Sequence, residues 1–168
     1  MTTNPDPISL KDPLIAGILA WLVPGLGHMY QGRIAKGIFF FVCLMGAFVY
    51  GMYLGEWKVV YWSWEKDRKP VVEGLCRLGM GVPSAPAILQ SFREKDGQLP
   101  VLGKFQAAPS KAELQELNAR LNRTWNIAQI YTMIASLLNI LVIFDACGGP
   151  AEAATARNAL PEQEPAAA

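Results

Sequence analysis

The chain has 168 residues, enough for one domain, and a formal charge of +1, which gives no reason to expect a nucleic-acid partner. It is 52% hydrophobic with a mean hydropathy of +0.21, high for a soluble domain, and the apolar residues fall in blocks. Cys43, Cys76 and Cys147 stand apart with no CxxC spacing, which argues against a disulfide framework or a zinc site.

Residues 1–13 carry two Asp and one Lys and end on Asp12-Pro13, an N-cap acceptor followed by proline at the first helical position. Residues 14–23 hold no charge and begin the first predicted membrane helix. No AxA-like cleavage site follows and a second apolar run comes at once, so a retained helix is expected instead of a cleaved signal. Pro24-Gly25 interrupts it. Proline removes an amide donor and clashes with the preceding turn, so the helix should kink or end there. In lipid the freed carbonyls then need a new partner. GLGHMYQG is expected to fold back against the second helix.

Residues 38–54 form the second charge-free run, 19 residues long when Gly37 and Gly55 are counted. A bilayer core takes about 20 helical residues to cross. Cys43, Ala47, Gly51 and Gly55 recur every four residues, a ridge of small side chains suited to close helix contact. Phe39, Phe40, Phe41 and Phe48 face lipid or fill gaps.

Residues 56–110 form an interfacial or loop region. Tyr61, Trp62 and Trp64 suit the headgroup level, with Lys66, Arg68 and Lys69 in reach of lipid phosphates. Residues 71–92 are moderately apolar but carry Glu73, Arg77 and two prolines. A full span is not expected there; a surface-lying or re-entrant segment and an ordinary loop with a short helix remain open.

Ser110 and Glu113 form an S-x-x-E capping box. Leu114, Leu117, Leu121 and Trp125 then recur at helical spacing, and no Gly or Pro separates them from the third charge-free run, residues 125–144. One helix is expected from Lys111 to about Asp145, roughly 50 Å long, amphipathic at its start and membrane-embedded at its end. Asn126, Gln129, Thr132, Ser136 and Asn139 share one face of that span. Uncharged polar groups so placed are expected to join it to the hairpin or to a second copy. Asp145 falls at the interface, and residues 148–168, rich in Ala, Glu and Pro, are expected to be disordered. The predicted class is thus an all-α membrane protein: a transmembrane helical hairpin at residues 14–55 plus a long third helix at 111–147.

His28 is the only histidine. A catalytic Ser-His pair needs a nucleophile in reach and an orienting group. The nearby residues Tyr30, Gln31 and Arg33 supply neither serine nor carboxylate, so His28 reads as an interfacial residue capping the helix broken at Pro24. Gly25, Gly27 and Gly32 lack the GKS or GKT ending of a phosphate loop and instead allow close approach and a tight turn. Arg33 and Lys36 can snorkel to headgroups. Neither catalytic, metal-binding nor cofactor-binding residues are expected.

PGLGHMYQGRIAKG, residues 24–37, resembles the turn of the small two-helix membrane module called the TM-two domain. Gly25, Gly27, His28, Tyr30, Gly32 and Gly37 match its pattern, although a single residue separates His28 from Tyr30 and the Asp-Arg-Phe triplet of the animal members is absent. YTMIASLLNILVIFDA, residues 131–146, looks like the signature of an uncharacterised bacterial membrane family with a third helix. These resemblances imply a protein of the bacterial cytoplasmic membrane and carry over no catalytic residue.

The expected role is a non-enzymatic scaffold or interaction protein whose partners are the lipid bilayer and a second copy or another membrane protein. The alternatives are an oligomeric transport or channel subunit using the polar stripe, and a lipid-modifying enzyme using His28. With three crossings, Lys11, Lys58, Lys66, Arg68, Lys69, Lys111, Arg120 and Arg123 lie on one side, against Arg33, Lys36 and Arg157 on the other. The positive-inside rule then places the N-terminus in the cytoplasm.

Overall fold

In the computed structural model, residues 11–62, 78–96, 102–103 and 105–148 are described. Every element among them is helical: α1 (Pro13–Leu22), α2 (Leu26–Tyr30), α3 (Ile34–Leu54), a 3-10 turn (Val82–Ser84), α4 (Ala85–Lys95), α5 (Lys111–Leu121) and α6 (Arg123–Gly148). The expectations for Trp64, Lys66, Arg68, Lys69, residues 71–77 and the tail past residue 148 lie outside the described residues. α3 and α6 are long and apolar enough to cross a membrane.

α1 starts where the sequence indicates. The Asp12 carboxylate accepts a hydrogen bond from the Leu14 amide at 2.9 Å, and Pro13 occupies the first turn. Ten residues reach only roughly 15 Å, about half a bilayer core. Val23 is extended, Gly25 takes φ 82°, and α2 then runs back along α1. Gly27 permits this: a Cβ there would collide with the Ala16 carbonyl and stand 2.8 Å from the Ala20 Cβ. After a second turn at Gly32, α3 crosses α2, and a Cβ on Gly37 would lie 2.7 Å from the Gly25 carbonyl oxygen. The first arm of the expected hairpin therefore doubles back as α1 and α2, and of its two arms α3 alone is long enough to cross a bilayer core.

One consequence corrects the charge count. Lys11 sits over the Tyr30 ring at 5.1 Å, and the Cys147 thiol lies 3.3 Å from the Pro13 carbonyl oxygen. The start of α1, the α2–α3 turn and the end of α6 therefore share one end of the molecule. Lys11 is on the side of Arg33 and Lys36, not opposite them.

α3 and α6 run antiparallel. Gly51 faces Thr132 and Ala128, and buried Gly55 faces Val59 and Ala128, with half-buried Ala47 on the same side. Cys43 is exposed, so the small-residue ridge begins at Ala47. Phe48, Met52, Val60, Met80, Ala87 and Ala135 form one core cluster.

The expected continuous helix from Lys111 to Asp145 is broken at Asn122, which takes φ 43° and ψ −113°. Asn tolerates positive φ better than most residues, so the chain turns without Gly or Pro. The Ser110 hydroxyl accepts from the Glu113 amide at 3.2 Å, as the capping box predicts. The turn lays α5 against the loop after α3. Leu117 is buried with Val59, Trp125 and Ala128, while Leu114 and Leu121 pack around them. Lys58–Glu113 at 2.5 Å and Arg120–Glu56 at 2.7 Å tie the two together. The leucine stripe is thus used inside the chain and is not an outward surface.

Leucine at position 51 would drive its Cβ to within 2.8 Å of the Thr132 methyl and 3.0 Å of the Ala128 oxygen. Gly51→Leu should destabilise the fold by about 1–3 kcal/mol through overpacking. Gly46→Leu, where a Cβ meets nothing within 4 Å, should change little. Unfolding titrations in mixed detergent micelles check the contrast.

Candidate functional site

The polar groups gather at two places, one half-way along α6 and one at its end. The first follows from Pro24. Proline has no amide hydrogen for the carbonyl four residues earlier, that of Ala20. The Asn139 side chain supplies it: Nδ2 donates to the Ala20 carbonyl at 3.3 Å and to the Gly79 carbonyl at 2.7 Å. Trp21 Nε1 donates to the Leu78 carbonyl at 3.1 Å. Gly81 seats the 78–84 segment against α1, since a Cβ there would collide with the Trp21 carbonyl. Asn139 is fully buried. Gly51 opposite Thr132 and Lys36 reaching Asp145 set a register that puts Asn139 level with Leu44, half-way along α3. Two segments that stop short thus meet at mid-height, and one amide side chain joins them.

The expected polar stripe divides. Thr132, Ser136 and Asn139 are buried, Gln129 is half-buried, and Asn126 is exposed. Asn126 therefore contributes nothing to the interior. The Thr132 hydroxyl lies 3.0 Å from the Gln129 carbonyl and 3.2 Å from that of Ala128, and the Ser136 hydroxyl donates to the Thr132 carbonyl at 2.9 Å. Those hydroxyls bond back to their own helix, which lets α3 pack closely over them. Asn139 makes the cross-segment bonds.

The second cluster lies at the shared end. His28 is fully buried, with Nε2 3.2 Å from Asp145 Oδ2 and its ring 5.2 Å from that of Phe40. Asp145 also receives Lys36 Nζ at 2.5 Å and Arg33 Nη2 at 3.4 Å. Gln31 Nε2 donates to the Ala146 carbonyl in the last turn of α6, and Gln31 Oε1 accepts from Arg33 at 3.4 Å. Cations and a side-chain donor at a helix C-terminus meet its unpaired carbonyls and the negative end of its dipole. His28 does not cap α1. It packs beneath a carboxylate that arrives from α6. Local sequence could not show that partner. The available signal was that Asp145 is the first charge after Arg123, at the end of an otherwise uncharged run.

The cluster's chemistry is electrostatic fastening. Neither ring nitrogen of His28 has an aligned hydrogen bond among the described residues. The described residues contain no group of three His, Cys, Asp or Glu side chains placed to hold a metal ion. Gly25, Gly27 and Gly37 serve helix contact, Gly32 turns in open space, and half-buried Tyr30 carries Lys11.

Residues 15–159 match a family described as being of unknown function, DUF6677. Comparison with curated proteins and with solved structures finds no match.

Asn139→Leu should leave the Ala20 and Gly79 carbonyls without their donor and lower stability by about 1–3 kcal/mol. Thr132→Val, which removes only a back-bond, should cost well under half of that. Both are read from detergent unfolding curves, and equal losses would contradict the division of the stripe.

Proposed function

As the chain belongs to the DUF6677 family, whose function is unknown, we propose from its own geometry that it is a non-enzymatic integral membrane scaffold. The observation that carries this is the distribution of side chains. α3 and α6 are only 28% and 33% buried across their most apolar windows, whereas the core helix of a soluble protein is mostly buried. Leu14, Phe39, Val42, Leu141 and Phe144 lie outside while Asn139, Thr132, Ser136 and His28 lie inside. Exposed apolar surface of this extent suits lipid and not water. The TM-two-like pattern supports the same reading, because its glycines and its histidine hold helices together.

The interior polar groups favour a scaffold over a pore. Thr132, Ser136 and Asn139 are enclosed by one chain, so an oligomer assembled around the outer faces would not be lined by them. The transport reading keeps one supporting observation: two incomplete segments meeting at mid-height resemble the broken helices of transporters. For a scaffold, the partner is a second copy or another membrane protein, in the bacterial cytoplasmic membrane that the sequence resemblance implies.

In this reading the chain crosses the bilayer twice. α1 and α2 enter from one side and return to it, so Lys11 and Gly148 share a side. Lys58, Lys111, Arg120 and Arg123 lie towards the other, against Lys11, Arg33 and Lys36. The positive-inside rule then keeps the α5 side in the cytoplasm, as in the three-crossing count, and moves only the N-terminus outside.

Full-length tagged protein should stay in the membrane pellet after alkaline carbonate washing, and release into the supernatant would overturn the reading. In a cysteine-free background, Lys11→Cys and Gly148→Cys should react with a membrane-impermeant maleimide from the same side of sealed vesicles. Labelling from opposite sides would restore three crossings.

A further inference from the structure

α4 is built inside out for a helix in water. Its buried face carries Ala87, Gln90 and Ser91, and it docks partly through polar bonds. Gln90 Nε2 donates to the Phe105 carbonyl, while the buried Ser91 hydroxyl bonds back to the Ile88 carbonyl of its own helix at 2.7 Å. The opposite face carries Val82, Leu89 and Phe92, which are 52%, 54% and 50% exposed. A step of three keeps Leu89 and Phe92 on one side of α4, together with exposed Ala85, and exposed Val82 precedes them in the 3-10 turn. A surface helix of a soluble protein turns its apolar stripe to the core and its polar residues outward. Here the order is reversed.

The position of α4 says what covers that face. Gln106 ties its start to the end of α3: the Gln106 amide donates to the Trp57 carbonyl at 2.9 Å, and its side chain donates to the Pro83 carbonyl at 2.9 Å. The Trp57 and Phe105 rings lie 5.9 Å apart, tilted by 37°, so exposed apolar surface runs from Tyr53 on α3 through these rings towards α4. Aromatic residues at the end of a span are characteristic of the headgroup level. The last turn and cap of α4 then bring four charges in succession, residues 93–96. At the other end, Gly79 and Gly81 reach the tip of α1 at mid-height.

We propose that α4 is a lipid-embedded helix that enters the bilayer from the α5 side without crossing it. Its Val82, Leu89 and Phe92 face contacts acyl chains, and its charged end lies among the headgroups. The inference rests on the membrane reading above. It adds that lipid, and not a second protein surface, occupies this face. A membrane-embedded stripe of this kind is the normal arrangement of an interfacial helix.

Single cysteines from Leu89→Cys, Val82→Cys, Glu94→Cys and Leu141→Cys are introduced into the cysteine-free full-length protein, nitroxide-labelled, and reconstituted into phosphatidylcholine–phosphatidylglycerol vesicles. Collision with oxygen, which partitions into lipid, is compared with collision with a water-soluble nickel chelate. Positions 89 and 82 should favour oxygen several-fold, as 141 on α6 does, while 94 favours nickel. Positions 89 and 82 favouring nickel would overturn the proposal, and so would protection of both from both quenchers, which would mark a protein-covered face. If 141 also favours nickel, the membrane reading itself falls, and this inference falls with it.

Discussion

A single side-chain amide reconciles the two interrupted segments of this chain. Pro24 forces α1 to stop, and the reversal strips the Ala20 carbonyl of its helical donor. The segment through Leu78 and Gly79 arrives from the other end with carbonyls of its own. Asn139 Nδ2 serves one carbonyl from each. A buried amide or carbonyl without a partner costs several times what a made hydrogen bond contributes, so the geometry of both segments depends on this donor. α1 can be ten residues long and still end well because α6 carries an asparagine at that height.

Around this point the packing depends on small groups. Gly27 on Ala16 and Ala20, Gly37 on Gly25, and Gly51 on Ala128 and Thr132 bring backbones closer than any larger side chain would allow. Where hydrophobic collapse has no purchase, such contacts and the bonds they admit hold helices together. The larger apolar side chains are mostly outside. At the shared end, Arg33 and Lys36 gather on Asp145 over the buried His28 ring, so α3 and α6 are fixed by charge and α2 by contact.

The features carried by local chemistry were legible in the sequence. Asp12-Pro13 marked the start of α1, Ser110 that of α5, Pro24 the break, and Gly51 and Gly55 the α3–α6 contact. The need for a donor after Pro24 could be stated in advance, but not that Asn139 would meet it, because that pairing spans 119 residues. The continuous helix failed at Asn122, where no Gly or Pro marks the break and where Leu117 packs with Val59, a residue distant in sequence. The length of the first apolar run did not reveal that α1 ends at Leu22 and that α2 turns back along it. The stripe on α6 is buried from Thr132 to Asn139 and exposed at Asn126, beyond the reach of α3.

A polypeptide made from its N-terminus exposes this arrangement to a particular order of events. α1, α2 and α3 are complete while α6 is still unmade, and the carbonyls of Ala20 and Gly79 must wait for residue 139 to be synthesised. His28 and Lys36 wait longer still, for Asp145. A polypeptide cut short before α6 would therefore keep the glycine contacts among α1, α2 and α3 but lack the donor for the Ala20 carbonyl and the partner of Lys36. Among the described residues, the fold therefore closes only when α6 is made.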